Sequence, residues 1–125
     1  MRIRKSLVML MSILAFAGCS KDKSTNELIA ELNSADEDDR IRAVRLLPQH
    51  KRDATKVVPA LIESLNDKHS DIRWSAAIGL GYFGTEAKSA VAALQKAQRD
   101  SDARVREAAR VAISRIESSR ASQPP

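Results

Sequence analysis

Apolar residues along most of this chain recur at steps of three and four. In the segment 102–117, Val105, Ala109 and Ile113 fall at i, i+4 and i+8, which places them on one face of an α-helix. Read the same way, the rest of the chain resolves into helices that come in pairs. The first helix of each pair is expected at 27–33, 57–66 and 87–99, the second at 36–47, 71–80 and 102–117. Helix formers dominate, and Gly and Pro number only four each, so the fold class is all-α.

The pairs also repeat with a fixed step. Arg40, Arg73 and Arg106 stand 33 residues apart, as do Ala43, Ala76 and Ala109, then Leu47, Leu80 and Ile113. Upstream, Leu28, Leu61 and Leu94 keep that step, and so do Val58 with Val91 and Ala54 with Ala87. A period of this size marks supersecondary units that bury their apolar faces only by stacking. Polar punctuation fits the division. Ser34 with Glu37 is expected to form a capping box, Asp67 and Asp100 to act as N-caps, and Pro59 to sit in a first turn. Gly81 and Gly84 are read as the break after the second unit. Ile29 and Ile62 are followed in register by Gln95, Leu32 and Leu65 by Gln98, and Val44 and Ala77 by Arg110. Three apolar positions thus turn polar together in the last unit, as a terminal repeat requires.

These residues resemble HEAT-like repeats of the short type also found in phycobilisome lyases. The shared pattern is an Asp followed six residues later by Arg, then paired alanines and Leu-Gly. Asp67 with Arg73, Asp100 with Arg106, Ala76-Ala77 and Leu80-Gly81 match it, whereas Ser34 replaces the first Asp and only Arg40 carries over there. The resemblance covers about residues 25–117 and implies a short right-handed α–α superhelix of about three helical hairpins. It also implies that Arg40, Asp67, Arg73, Asp100 and Arg106 link neighbouring repeats. An Arg at the base of a helix pair needs a carboxylate or carbonyls for its fork, so these charges are read as architectural, not catalytic.

The chain begins differently. Arg2, Arg4 and Lys5 precede an apolar run of eleven residues, Leu7 to Ala17, which ends in Gly18-Cys19. A charged start, a short apolar stretch and small residues are the marks of a secretory signal. The run is too short for a spanning helix, which needs about 20 apolar residues. Ala15 to Cys19 (AFAGC) resembles a bacterial lipobox, with Phe16 where that pattern usually has Leu. The resemblance implies cleavage after residue 18, a lipid anchor on Cys19, and a place on the cell membrane or outer membrane, exported to the periplasmic or extracellular side. The other reading is an ordinary secretory signal with an incidental cysteine; that Cys19 is the sole cysteine favours the anchor. The expected organisation is signal 1–18, lipidated tether 19–25, repeat domain 26–117 and disordered tail 118–125.

This division changes the charge. The precursor carries +5, but removing Arg2, Arg4 and Lys5 from its 21 basic residues leaves 18 against 16 acidic ones, or +2. That is far from the dense basic field that nucleic-acid binding requires. Aromatics are only 3%, so the core is left to Ala, Leu, Ile and Val.

Reactive constellations are not evident. His50 and His69 fall in expected loops as solvated residues, and each is followed by Lys51 or Ser70 rather than by the Glu of a metal-binding pair. No CxxC, HExxH or GxSxG occurs. Asp36 to Asp39 lacks the spacing and the glycine of a calcium loop. The sequence offers a stripe instead. Positions one and five after each repeat arginine are Ile41 and Arg45, Trp74 and Ile78, Glu107 and Val111. On stacked helices they would lie side by side along a concave face. Trp and Arg are favoured interface anchors, although Trp74 could equally be extra packing over the next helix. The expected function is therefore a non-catalytic interaction or scaffold module in the envelope, binding an unknown envelope protein, with no cofactor, metal, nucleic acid or small-molecule substrate. The alternatives are an accessory subunit of a lyase-type enzyme and a purely structural envelope protein.

Overall fold

The computed structural model describes residues 22–124; the signal-like segment and Cys19 lie outside the described residues. Among the described residues six α-helices follow one another: α1 (Thr25–Glu31), α2 (Glu37–Leu46), α3 (Ala54–Ser64), α4 (Ser70–Tyr82), α5 (Val91–Ala97) and α6 (Ala103–Ala121). Short 3₁₀ turns, Leu47–Gln49 and Lys51–Asp53, join α2 to α3, and a longer one, Gly84–Ala90, leads into α5. The helices form three hairpins stacked in two layers. α1, α3 and the approach to α5 make one layer, and α2, α4 and α6 the other.

The 33-residue step is the step of the core. Leu28, Leu61 and Leu94 are buried on the first helices, and Ala43, Ala76 and Ala109 are fully buried on the second. Alanine at all three positions lets α2, α4 and α6 lie close together, so that each covers its neighbour's apolar face. In the last unit, Gln95, Gln98 and Arg110 are exposed, whereas Leu65, Val44 and Ala77 are buried in the earlier ones.

Several local expectations are corrected. The capping box forms at Ser24 and Glu27: the Ser24 amide donates to the Glu27 carboxylate at 2.7 Å, and the Glu27 amide donates to Ser24 Oγ at 3.3 Å. Ser34 stands two residues too early to cap α2. Asp36 does so, accepting from the Asp38 amide at 2.9 Å. Asp67 and Asp100 are likewise early. Each accepts, at 2.9 Å, from the amide of the residue just before the next helix, His69 or Asp102, and those two residues hold the N-cap positions. Pro59 lies inside α3, not in its first turn, because the helix starts at Ala54. Its ring is on the solvent side, where the missing donor is tolerated.

Gly81 does not mark a break. It lies inside α4, where a Cβ would come within 3.2 Å of the Ala112 backbone on α6. The break falls at Gly84, whose φ of +54° suits glycine. At the chain ends, Thr25 belongs to α1 and is buried, and α6 continues to Ala121 into the segment expected to be a frayed tail.

Candidate functional site

The repeat arginines bind in one geometry. The Nη1 of Arg40 donates to the carbonyls of Ser34 at 2.9 Å and Ala35 at 3.2 Å, and its Nε donates to Asp67 Oδ2 at 3.0 Å. Arg73 repeats this one unit later. Its Nη1 reaches the Asp67 and Lys68 carbonyls at 2.8 and 3.1 Å, while Nε and Nη2 grip the Asp100 carboxylate at 2.8 and 3.0 Å. Arg106 repeats the carbonyl half, bonding Asp100 and Ser101 at 2.8 and 3.1 Å. Each arginine thus fastens the loop before its own helix, and the first two also fasten the next repeat. The hydrogen bonds from Arg73 hold the Asp100 carboxyl below its ordinary range and raise the guanidinium in turn. Arg40 with Asp67 and Arg73 with Asp100 therefore tie neighbouring hairpins, whereas Arg106, expected to link repeats as well, fastens only the loop before its own helix, since no further repeat offers it a carboxylate among the described residues.

The α2–α4–α6 layer carries two grooves. One, of about 630 Å³, lies between α2 and α4; its floor includes Val44, Pro48 and Gly79, and its rim Arg45, Gln49 and Lys51. The other, of about 570 Å³, lies between α4 and α6, with Ala108, Val111 and Ala112 beneath Arg104, Glu107 and Arg115. Trp74, Ile78 and Tyr82 line both and form the ridge between them. The structure therefore brings together Arg45, Trp74 and Ile78 of the expected stripe. It leaves Ile41 out of both grooves: that side chain is partly buried and packs against the core.

Tyr82 was not among the expected site residues. It is 55% exposed, the one large hydrophobic side chain so exposed among the described residues. A further step of four from Trp74 and Ile78 lands on it, and the 33-residue step then gives Gln49 and Arg115 on either side. Reading the glycines as a helix stop concealed this third row.

Cations lie over the ridge. The Arg104 guanidinium sits 5.9 Å from the centre of the Trp74 ring, and that of Arg115 sits 5.4 Å from Tyr82. Such contacts hold an aromatic face without hiding its edge. Arg104 is itself fixed by Asp71 at 2.8 Å and Asp102 at 2.9 Å, and its hydrogen bonds pull the Asp102 carboxyl well below the usual carboxylate range. Trp74 is half-buried and also touches the core, so it both packs and lines the grooves.

The histidines occupy the expected connections, but each has a partner. His69 Nδ1 lies 2.9 Å from Glu37 Oε1. His50 Nδ1 lies 3.0 Å from the hydroxyl of buried Thr25, which gives its own proton to Asp53. Asp53 meets Thr25 and not His50, so the three side chains are not in the hydroxyl–imidazole–carboxylate order of a nucleophilic relay. No group of three or more potential metal ligands occurs among the described residues, and none of their helices is long and apolar enough to cross a membrane.

The family model described as HEAT repeats matches residues 25–114. No curated protein matches the sequence. Among solved structures, the chain is similar to a chain of the CpcE–CpcF complex of phycocyanin lyase from Nostoc sp. PCC7120. The two are 28% identical with a TM-score of 0.71, and the match covers 81% of this chain and 40% of that one. The present chain thus spans less than half the length of that neighbour.

Proposed function

The chain belongs to the HEAT-repeat family, and from that premise we propose that it is a non-catalytic interaction module, held on an envelope membrane by lipid at Cys19, whose grooved face receives a segment of another envelope protein. The observation that carries this reading is the Trp74–Ile78–Tyr82 ridge standing between two apolar grooves. Interfaces are anchored by aromatic side chains set in apolar surroundings with a polar rim, and this layer has both. The Arg–Asp ties support it indirectly, because they hold the stacked helices, and with them the ridge, in one geometry.

Site-specific photo-crosslinking in intact cells tests the reading. A benzoyl-phenylalanine in place of Tyr82 should give a discrete crosslinked species that the same group in place of Lys96, on α5, does not give. Crosslinks of equal yield from both positions, or from Lys96 alone, would count against the grooved face.

A second reading is an accessory subunit of a lyase-type enzyme, favoured by the similarity to the phycocyanin lyase complex. Here the partner would carry a chromophore or another cofactor, and detergent extraction followed by affinity purification would recover a coloured complex. A partner that is colourless and carries no cofactor by mass spectrometry removes this reading and leaves the first.

A further inference from the structure

The two grooves differ in charge. The α4–α6 groove holds Glu107 on its rim, with Arg110 donating to it at 3.0 Å; of its two cations, Arg104 is already held by two aspartates and Arg115 lies over the Tyr82 ring. The α2–α4 groove has no acidic residue in its lining at all, yet Arg45 and Lys51 stand exposed at its edge. Neither cation has an ion-pair partner among the described residues, whereas Arg42, on the same helix as Arg45, is paired with both Glu31 and Asp39. An apolar floor beneath two unpaired cations is complementary to one kind of occupant.

We propose that the α2–α4 groove takes an acidic, apolar helical segment of a partner protein. Its apolar side chains lie against Trp74, Ile78 and Tyr82, and its carboxylates on Arg45 and Lys51. The proposal rests on the interaction reading given above and names the chemistry of the partner. A helix laid in a groove presents apolar anchors at steps of three and four, with its flanking positions left for charge. The ridge supplies a matching row, since Trp74, Ile78 and Tyr82 are themselves four residues apart along α4. Flexible cations at a rim steer such a segment and set its register more than they add affinity, and they do so in a salt-dependent way. The ring of Trp74 provides apolar contact in both grooves, so an occupant of either would change its surroundings.

The single tryptophan of the chain makes the test local. Three labelled amphipathic peptides of about five helical turns, alike in their apolar positions and bearing Glu, Gln or Lys at the flanks, are titrated into the full chain in detergent micelles. Anisotropy gives the affinity, Trp74 emission reports occupancy beside the ridge, and the charge reversal at Arg45 and Lys51 assigns it to the α2–α4 groove. The Glu peptide should bind tightest, shift the emission, and weaken as salt is raised. Arg45→Glu with Lys51→Glu should cost the Glu peptide roughly tenfold, as expected for two rim pairs turned repulsive, and should make the Lys peptide the better ligand. Both positions are exposed, so the double variant keeps its fold, which circular dichroism verifies. Equal binding of the three peptides, binding that leaves Trp74 emission unmoved, no binding, or an order indifferent to the charge reversal would each overturn the proposal. Crosslinking from position 82 that survives the reversal in cells would remove the acidic segment while leaving the grooved face as the interaction surface.

Discussion

Arg73 holds Asp100 across 27 residues of sequence by two parallel hydrogen bonds of 2.8 and 3.0 Å. Both side chains are largely buried, and both also close turns of their own, Arg73 on the carbonyls of Asp67 and Lys68, Asp100 on the amide of Asp102. One pair of charges therefore joins the second hairpin to the third. Bidentate geometry of this kind is among the stronger ion-pair arrangements.

Asp100→Ala should lower stability by about 2 kcal/mol, the range for hydrogen bonds to a charged group. The pair also gives a direction in pH. Because Arg73 depresses the folded-state pKa of Asp100, the contribution is complete above the unfolded carboxylate pKa of about 4 and fades as pH falls through the lower folded value. Denaturant titrations of the wild type and Asp100→Asn, from neutral pH to pH 3, should show a gap that is widest at neutral pH and narrows with acid. A gap that is constant with pH would mean that the carboxylate charge contributes nothing.

The closeness of α4 to its neighbours gives a second expectation. Ala76 is fully buried at the step shared with Ala43 and Ala109. Ala76→Leu must push helices apart, at a cost of about 1–3 kcal/mol. For a domain of this size that corresponds to a melting temperature lower by roughly 4 °C or more. Gln98→Ala, on the exposed end of the stack, should leave the melting temperature almost unchanged. An Ala76→Leu protein as stable as the wild type would contradict the packing described for α4.

How much of this was legible in the sequence follows from which interactions are periodic. The hairpins and their register were, because Leu28, Leu61 and Leu94 and the alanine rows are core in every unit. The tie of Arg73 to Asp100 was not: the family pattern set Asp67 with Arg73 and Asp100 with Arg106 along the sequence, and only the stacked hairpins show which Arg meets which Asp. The caps were not: Ser34 and Asp36 both offer a suitable oxygen within three residues, and only the backbone path decides which one meets the helix. The extent of α4 was hidden by Gly81, read as the end of the second unit, with Gly79 two residues before it. In the fold they are where Pro48 of the α2–α3 connection and Ala112 of α6 come close. Helix α4 consequently runs two residues past Leu80 and adds Tyr82 to the ridge. Ile41 is partly buried like Trp74 and Ile78 but lies outside both grooves, because register gives the face of a helix and not how far along it a groove extends.

The anchor is testable by one substitution. Cys19→Ser should leave a precursor that retains residues 1–18, takes up no labelled palmitate and runs larger on a gel. Thioether attachment of the first acyl chains needs the thiol, and multiple acyl chains anchor a protein far better than a single one. A variant that is processed normally and released as soluble protein would show an ordinary secretory signal instead.

The last expectation separates the two roles of Trp74. The ring touches the core and lines both grooves, so loss of binding on Trp74→Ala could reflect lost packing. Tyr82 does not share that ambiguity, since it is 55% exposed and its truncation removes little from the interior. If the ridge is the partner surface, Trp74→Ala should weaken capture of the crosslinked partner about thirtyfold, as expected for an interface tryptophan worth about 2 kcal/mol. Tyr82→Ala should weaken it in the same direction with helicity and melting temperature unchanged. Lys96→Ala, on the other layer, should do nothing to either. Circular dichroism and binding measured together on the three variants decide the matter. Weak binding only where the fold is also lost would make Trp74 a packing residue, and full binding by a well-folded Tyr82→Ala protein would place the partner elsewhere on the solenoid.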